Sequence, residues 1–146
     1  MIYDLANWPD KRYSGWKERG RGYEGRPNIG TCVDKTRNSS YDKKKLIAYL
    51  NKGHSIVASS WYSFPCLFTG KRRTGSFLIL TDGNWEYDSE LVGYIRDHDL
   101  AIPDQWYSEI VSRDFKMPNV SKEALYAMFP PPPPYDFDTP GENIYN

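Results

Sequence analysis

Residues 77–106, FLILTDGNWEYDSELVGYIRDHDLAIPDQW, constrain the fold more than any other part of the chain, because a strand, a reversal and two helix starts follow with almost no spacer. Phe77, Leu78, Ile79 and Leu80 form an uninterrupted apolar run between Gly75 and Asp82-Gly83, too short for a helix and suited to a strand buried on both faces. Asp82-Gly83 supplies positive φ without a Cβ clash, so the chain reverses into a return strand over residues 84–87. Trp85 and Tyr87 then share one face, with Glu86 on the other. Leu91, Tyr94 and Ile95 recur at helical spacing, and Asp88 or Ser89 is placed to accept the first orphan amides, which predicts a helix over 89–97. Pro103 suits a first helical turn ahead of Trp106, Tyr107, Ile110 and Val111, which predicts another over 103–112.

The flanking segments extend this pattern. Asp42 caps a helix over 42–51 whose apolar face is Leu46, Ile47 and Leu50 and which Gly53 ends. Lys43, Lys44 and Lys45 sit in its first turn, the unfavourable end for positive charge. Residues 55–61 read as a strand, and residues 63–76 as a loop or wide hairpin with Lys71-Arg72-Arg73 at an exposed tip. Ser121 caps a short helix over 121–129, after which Pro130 to Pro134 hold the chain extended. The expected architecture is α+β: a small antiparallel sheet from 55–61, 76–81 and 84–87, packed with three to four helices. The expected core draws on Leu46, Ile47, Leu50, Ile56, Leu78, Leu80, Leu91, Ile95, Ile110 and Val111.

At 146 residues the chain is one ordinary domain, read as 1–129 with an irregular, glycine-rich arm over 1–40 and a proline-rich acidic tail over 130–146. No apolar run is long enough to cross a bilayer and Met1-Ile2-Tyr3-Asp4 has no basic leader, so a cytoplasmic location is expected. Aromatic residues make up 16% of the chain, which demands an aromatic-rich core or an interface. Cys32 and Cys66 lack CxxC spacing and His54 and His98 are the only histidines, so no metal and no cofactor is expected, and the two thiols read as structural.

No catalytic residue is assigned. His98 lies between Asp97 and Asp99, where carboxylates would favour its charged form, although a histidine at a helix end more simply meets the terminal carbonyls. His54 after Gly53 reads as a helix-end residue facing the surface. The zero formal net charge hides an asymmetry: residues 1–81 carry fifteen Lys plus Arg against six Asp plus Glu, and residues 82–146 carry four against thirteen. Either the halves lie against each other and cancel, or one presents a field to a charged partner.

Taken together, YLNKGH (Tyr49, Leu50, Gly53, His54), TDGNWEY (Thr81, Asp82, Gly83, Trp85, Tyr87), Leu91 with Tyr94, and His98, Pro103 and Trp106 resemble a set of small bacterial cytoplasmic proteins. Those proteins sit beside polymorphic toxins and are regarded as immunity proteins. The resemblance covers about half of the chain and implies a protein-binding inhibitor that occludes a toxin, one expected to be basic if it handles phosphates. The expected contact surface is then Trp85, Glu86, Asp88, Glu90, Asp97, Asp99, Asp104 and Trp106, with the tryptophans as anchors and the acids steering association.

Two other functions fit the residues. Arg12, Arg19, Arg21 and Arg26, set among glycines and aromatics, are what a nucleic-acid contact would use. A small enzyme would announce itself as a pocket joining His54 or His98 to a carboxylate and a cysteine. PPPPPY also contains the PPxY form that WW modules read.

Overall fold

The computed structural model describes residues 2–59, 64–72 and 77–128. The expected polyproline tail, Arg73, and the last two residues of the expected first strand lie outside these residues. Within them, four strands, β1 (Arg12–Tyr13), β2 (His54–Ser59), β3 (Phe77–Thr81) and β4 (Glu86–Asp88), join five helices. The helices are α1 (Lys35–Ser40), α2 (Lys43–Asn51), α3 (Leu91–Asp97), α4 (Asp104–Ser112) and α5 (Lys122–Met128). The chain is α+β, as its patterning predicts.

The sheet runs in the order β1-β4-β3-β2. The expected hairpin forms, with β3 antiparallel to β4 and to β2, and a register irregularity interrupts β2 between Ser55 and Val57. The sheet is nevertheless mixed rather than purely antiparallel, because β1 pairs parallel to β4, Arg12 opposite Glu86 and Tyr13 opposite Tyr87. Two residues between irregular segments carry no period of their own, so β1 is invisible to pattern reading.

Two of the expected helix caps form, whereas α3 starts at Leu91 behind Glu90, which makes no side-chain cap hydrogen bond, and Ser89 accepts from the Leu78 amide instead. Asp42 accepts from the Lys45 amide and Ser121 from the Ala124 amide, each satisfying a donor left over in a first turn. Pro103 stands one position ahead of α4 rather than inside it. Gly53 follows α2 for a steric reason: a Cβ there would lie 2.0 Å from the Tyr87 hydroxyl oxygen, and that hydroxyl donates to the Leu50 carbonyl at 2.7 Å.

Leu46, Leu50, Leu80, Leu91, Ile95 and Ile110 are buried as expected, while Ile47, Ile56 and Leu78 are only partly buried. Val111 is a correction, since it is 47% exposed on the outer side of α4. The aromatics complete the core. Tyr3, Trp8, Tyr13, Trp106 and Trp85 form a chain of ring contacts with centroids 4.9 to 6.0 Å apart, ending in the near-parallel pair Trp85 and Trp106 at 5.4 Å. Such contacts stabilise by about 0.5–1.5 kcal/mol each beyond area burial.

The segment 1–40, expected to be irregular, contains β1, 3-10 turns at Lys17–Arg19 and Ile29–Cys32, and α1, and it is firmly held. Arg26 donates to the Tyr3 hydroxyl, the Asp10 carboxylate and the carbonyls of Arg12, Gly15 and Ser14. Buried Asn38 donates from α1 to the carbonyls of Ile95 and Leu100. No helix among the described residues is long and apolar enough to cross a membrane.

Candidate functional site

The residues expected to meet a partner turn largely inward. Trp85 and Trp106 are 0% exposed and cannot act as surface anchors, because their rings stack on one another and their indole N–H groups are spent. Trp85 Nε1 donates to Glu109 at 2.6 Å and Trp106 Nε1 to Asp82 at 2.9 Å. Asp82 itself is a buried hub. Its Oδ1 accepts from the amides of Asn84 and Trp85, and its Oδ2 from Tyr49, Trp106 and Arg113 at 2.7 to 3.2 Å. Every lone-pair direction of that carboxylate is occupied, so it fastens the reversal to α2 and α4 and has none left for a ligand.

Of the acids, two are buried as well, whereas Asp97 and Asp104 stay exposed. Asp88 and Glu90 are buried, Glu90 against Arg19 and Asp88 accepting from the Glu90 amide at 2.9 Å. Burial, then the neighbouring Glu90 charge, pushes the Asp88 carboxyl up to about 7. Glu86 is half-buried with Arg12 4.0 Å away, and burial pushes its carboxyl up as well. Asp104 pairs with Arg37 and Asp97 with Arg96. Asp99 is half-buried with a left-handed φ of 56°, its carbonyl accepting from the Asp34 amide.

Arg12, Arg19, Arg37 and Lys11 of the basic half thus meet Glu86, Glu90, Asp104 and Glu109 of the acidic half. The two halves therefore meet through these four ion pairs, and part of the charge asymmetry is internal compensation. The same packing takes Arg19 and Arg26 from the arginine arm expected to contact nucleic acid, since their side chains are only 9% and 10% exposed.

His54 opens β2, half-buried, with Nε2 donating to the Pro118 carbonyl at 2.8 Å, so it is neither a helix-end residue nor a surface one. Cys32 is buried at 1% exposure, and burial raises its thiol. His98 is different. At the end of α3 its Nε2 lies 3.7 Å from the Cys66 sulfur, and Phe68 stacks on its imidazole at 4.6 Å with the planes 16° apart. Cys66 starts a tight loop in which its own carbonyl accepts from the Gly70 amide and its amide donates to the Lys71 carbonyl.

That loop and the end of α3 enclose an open recess of about 390 Å³ lined by Cys66, Thr69, Lys71, Arg72, Arg96, Asp97 and His98. The three cations lining this recess would attract an anion; Asp97, bound to Arg96, tempers that field. A larger recess, about 530 Å³, lies between the β3–β4 reversal and residues 118–124, but its charged groups Asp82 and Arg113 are bound to each other. Among the described residues, no three His, Cys, Asp or Glu side chains gather as they would around a metal ion.

Lys71 and Arg72 are exposed and both cysteines are buried, as the sequence predicts; what period and turn chemistry do not show is that Lys71, Arg72 and Cys66 line one recess with His98. The available signal was Cys66 followed six residues later by Arg72 across a glycine, the spacing of a closed loop that brings both ends together. Comparison of the chain with family models, with curated proteins and with solved structures finds no match.

Proposed function

We propose that the recess between residues 66–72 and the end of α3 is a thiol-centred site for a small ligand bearing an oxyanion. The observation that carries this reading is the 3.7 Å approach of the Cys66 sulfur to His98 Nε2 beside Lys71, Arg72 and Arg96. Cys66 is the nucleophile: its proton passes to His98, its electron pair forms a bond to an electrophilic carbon, and the leaving group departs with the bonding pair and takes the proton back from His98. The cations select an anionic electrophile.

Alkylation by iodoacetate and iodoacetamide tests this, with glutathione as the reference thiol and Cys32 as the internal control. The expected result is labelling of Cys66 at pH 7 with an iodoacetate-to-iodoacetamide rate ratio at least fivefold above that of glutathione, falling on Arg72→Met. His98→Gln should slow labelling about tenfold. A Cys66 that labels no faster than the reference thiol, without anion preference, overturns the reading.

The protein-binding inhibitor implied by the resemblance is a second proposal, with one observation in its favour. α5 has no buried residue and leaves Tyr126 56% exposed. Apolar helix surface left in water is a feature of partner-binding faces. Its partner would be a toxin encoded beside this chain, and titration of that purified protein is the test. Saturable binding lost on Tyr126→Glu supports it, and unaltered binding removes α5 from the contact.

A further inference from the structure

Cys66 is held by what grips its neighbours on either side. Arg19, at the end of a short 3-10 turn in the N-terminal arm, donates through Nη1 to the Pro65 carbonyl at 3.0 Å, and its guanidinium carbon lies 4.5 Å from the centre of the Phe64 ring. Through Nη2 the same guanidinium meets Glu90 and the Tyr94 hydroxyl. That hydroxyl accepts from the Leu67 amide at 3.2 Å and donates to Glu90 at 3.2 Å. The Tyr94 ring also takes Phe68 edge-on at 5.4 Å, and Phe68 is the ring stacked on His98. Residues 64, 65, 67 and 68 are therefore all fastened to one buried cluster of Arg19, Glu90 and Tyr94.

We propose that Arg19 and Tyr94 are positioning residues that set the Cys66 sulfur against His98, so that the N-terminal arm controls the reactivity of a thiol forty-seven positions later. This rests on the thiol-centred reading of the recess. The arm's role is geometric: a planar fork can bridge the Glu90 carboxylate and the Pro65 carbonyl at once while lying over the Phe64 ring, whereas a single ammonium cannot span all three. If Arg19 did no more than neutralise the charge of Glu90, Lys would replace it.

The test is a double-variant measurement of Cys66 alkylation in the full chain. His98→Gln is introduced alone and into Arg19→Lys, Arg19→Met and Tyr94→Phe, with circular dichroism confirming a folded protein at the assay temperature. The expected result is that the roughly tenfold rate lost on His98→Gln in the parent shrinks to less than twofold in Tyr94→Phe and Arg19→Lys, whatever happens to the absolute rate. Retention of the full factor in both variants overturns the positioning role while leaving the recess intact. A parent protein with no dependence on His98 overturns the recess reading itself and the positioning role with it. Should Arg19→Met fail to fold, Tyr94→Phe, which keeps the ring and loses only the hydroxyl, decides alone.

Discussion

Asp82 and Cys66 sit in opposite kinds of surroundings. Asp82 is sealed, with five donors converging on two oxygens and a wall of Tyr49, Trp85 and Trp106 around it. Cys66 is itself only 5% exposed but lines an open recess, its loop short, its cationic neighbours exposed, its contact to His98 longer than an ordinary hydrogen bond. A carboxylate whose acceptor capacity is exhausted stabilises the fold and does no chemistry. A thiol beside an imidazole, with room in front of it, retains the option. Most of the residues conspicuous as motifs thus went into construction, and of the residues lining the recess His98 alone belongs to a motif.

Substitutions sharpen that contrast, beginning with the largest effect. Asp82→Ala strands two amides, an indole, a phenol and a guanidinium; at about 1–3 kcal/mol for each buried group left unpaired, the expected loss is about 5 kcal/mol or more, enough to unfold the domain in a denaturant titration. A protein that stays folded with a midpoint near the parent's would show that the hub is redundant.

Gly53→Ala comes next. The added methyl collides with the Tyr87 hydroxyl, and the expected cost is about 3 kcal/mol, measured by thermal unfolding. Tyr87→Phe in the same chain should restore part of it, since the phenol oxygen is the nearest clashing atom. Equal costs with and without that hydroxyl would place the strain elsewhere.

Asp88 supplies a pH test. Its carboxyl is raised in the folded state, from an ordinary value of 3.8 to about 7, so folding favours the protonated form. The stability this contributes is fully present below the unfolded value and is lost as pH rises through about 7. Asp88→Asn keeps an acceptor for the Glu90 amide and removes the titration. It should be more stable than the parent at pH 8, by an amount on the order of 1 kcal/mol, with the difference narrowing toward pH 5. Parallel pH profiles for the two proteins would contradict this.

Cys66→Ser should cost least, about 1 kcal/mol, while abolishing labelling. A large loss of stability would move Cys66 to the structural side of the contrast.

How much of this was legible in the sequence depended on whether a residue's neighbours lay close in the chain. The β3–β4 reversal, the Asp42 and Ser121 caps and the face of Leu46 and Leu50 are local, and period and turn chemistry found them. Burial of Trp85 and Trp106 depends on Tyr49, Glu109 and Arg113, which no local pattern brings together, so two large aromatics beside acids passed for a docking surface. The acids misled for the same reason. Glu90 and Glu86 find Arg19 and Arg12 more than seventy residues earlier, and a charge count along the chain shows the imbalance without showing that part of it closes on itself. His98 stands out in the sequence for its flanking aspartates, whereas its close contacts are Cys66 and Phe68 across the loop.

The parallel edge strand sets an order on biosynthesis. Arg12 and Tyr13 leave the ribosome early, yet the backbone groups they pair with arrive only with Glu86 and Tyr87, and the ring that packs on Tyr13 only with Trp106. Until residues 86–106 are made, β1 has neither a strand to pair with nor the ring of Trp106 to pack on. The sheet is complete only when β1 meets β4, a pairing that spans more than seventy positions of the chain.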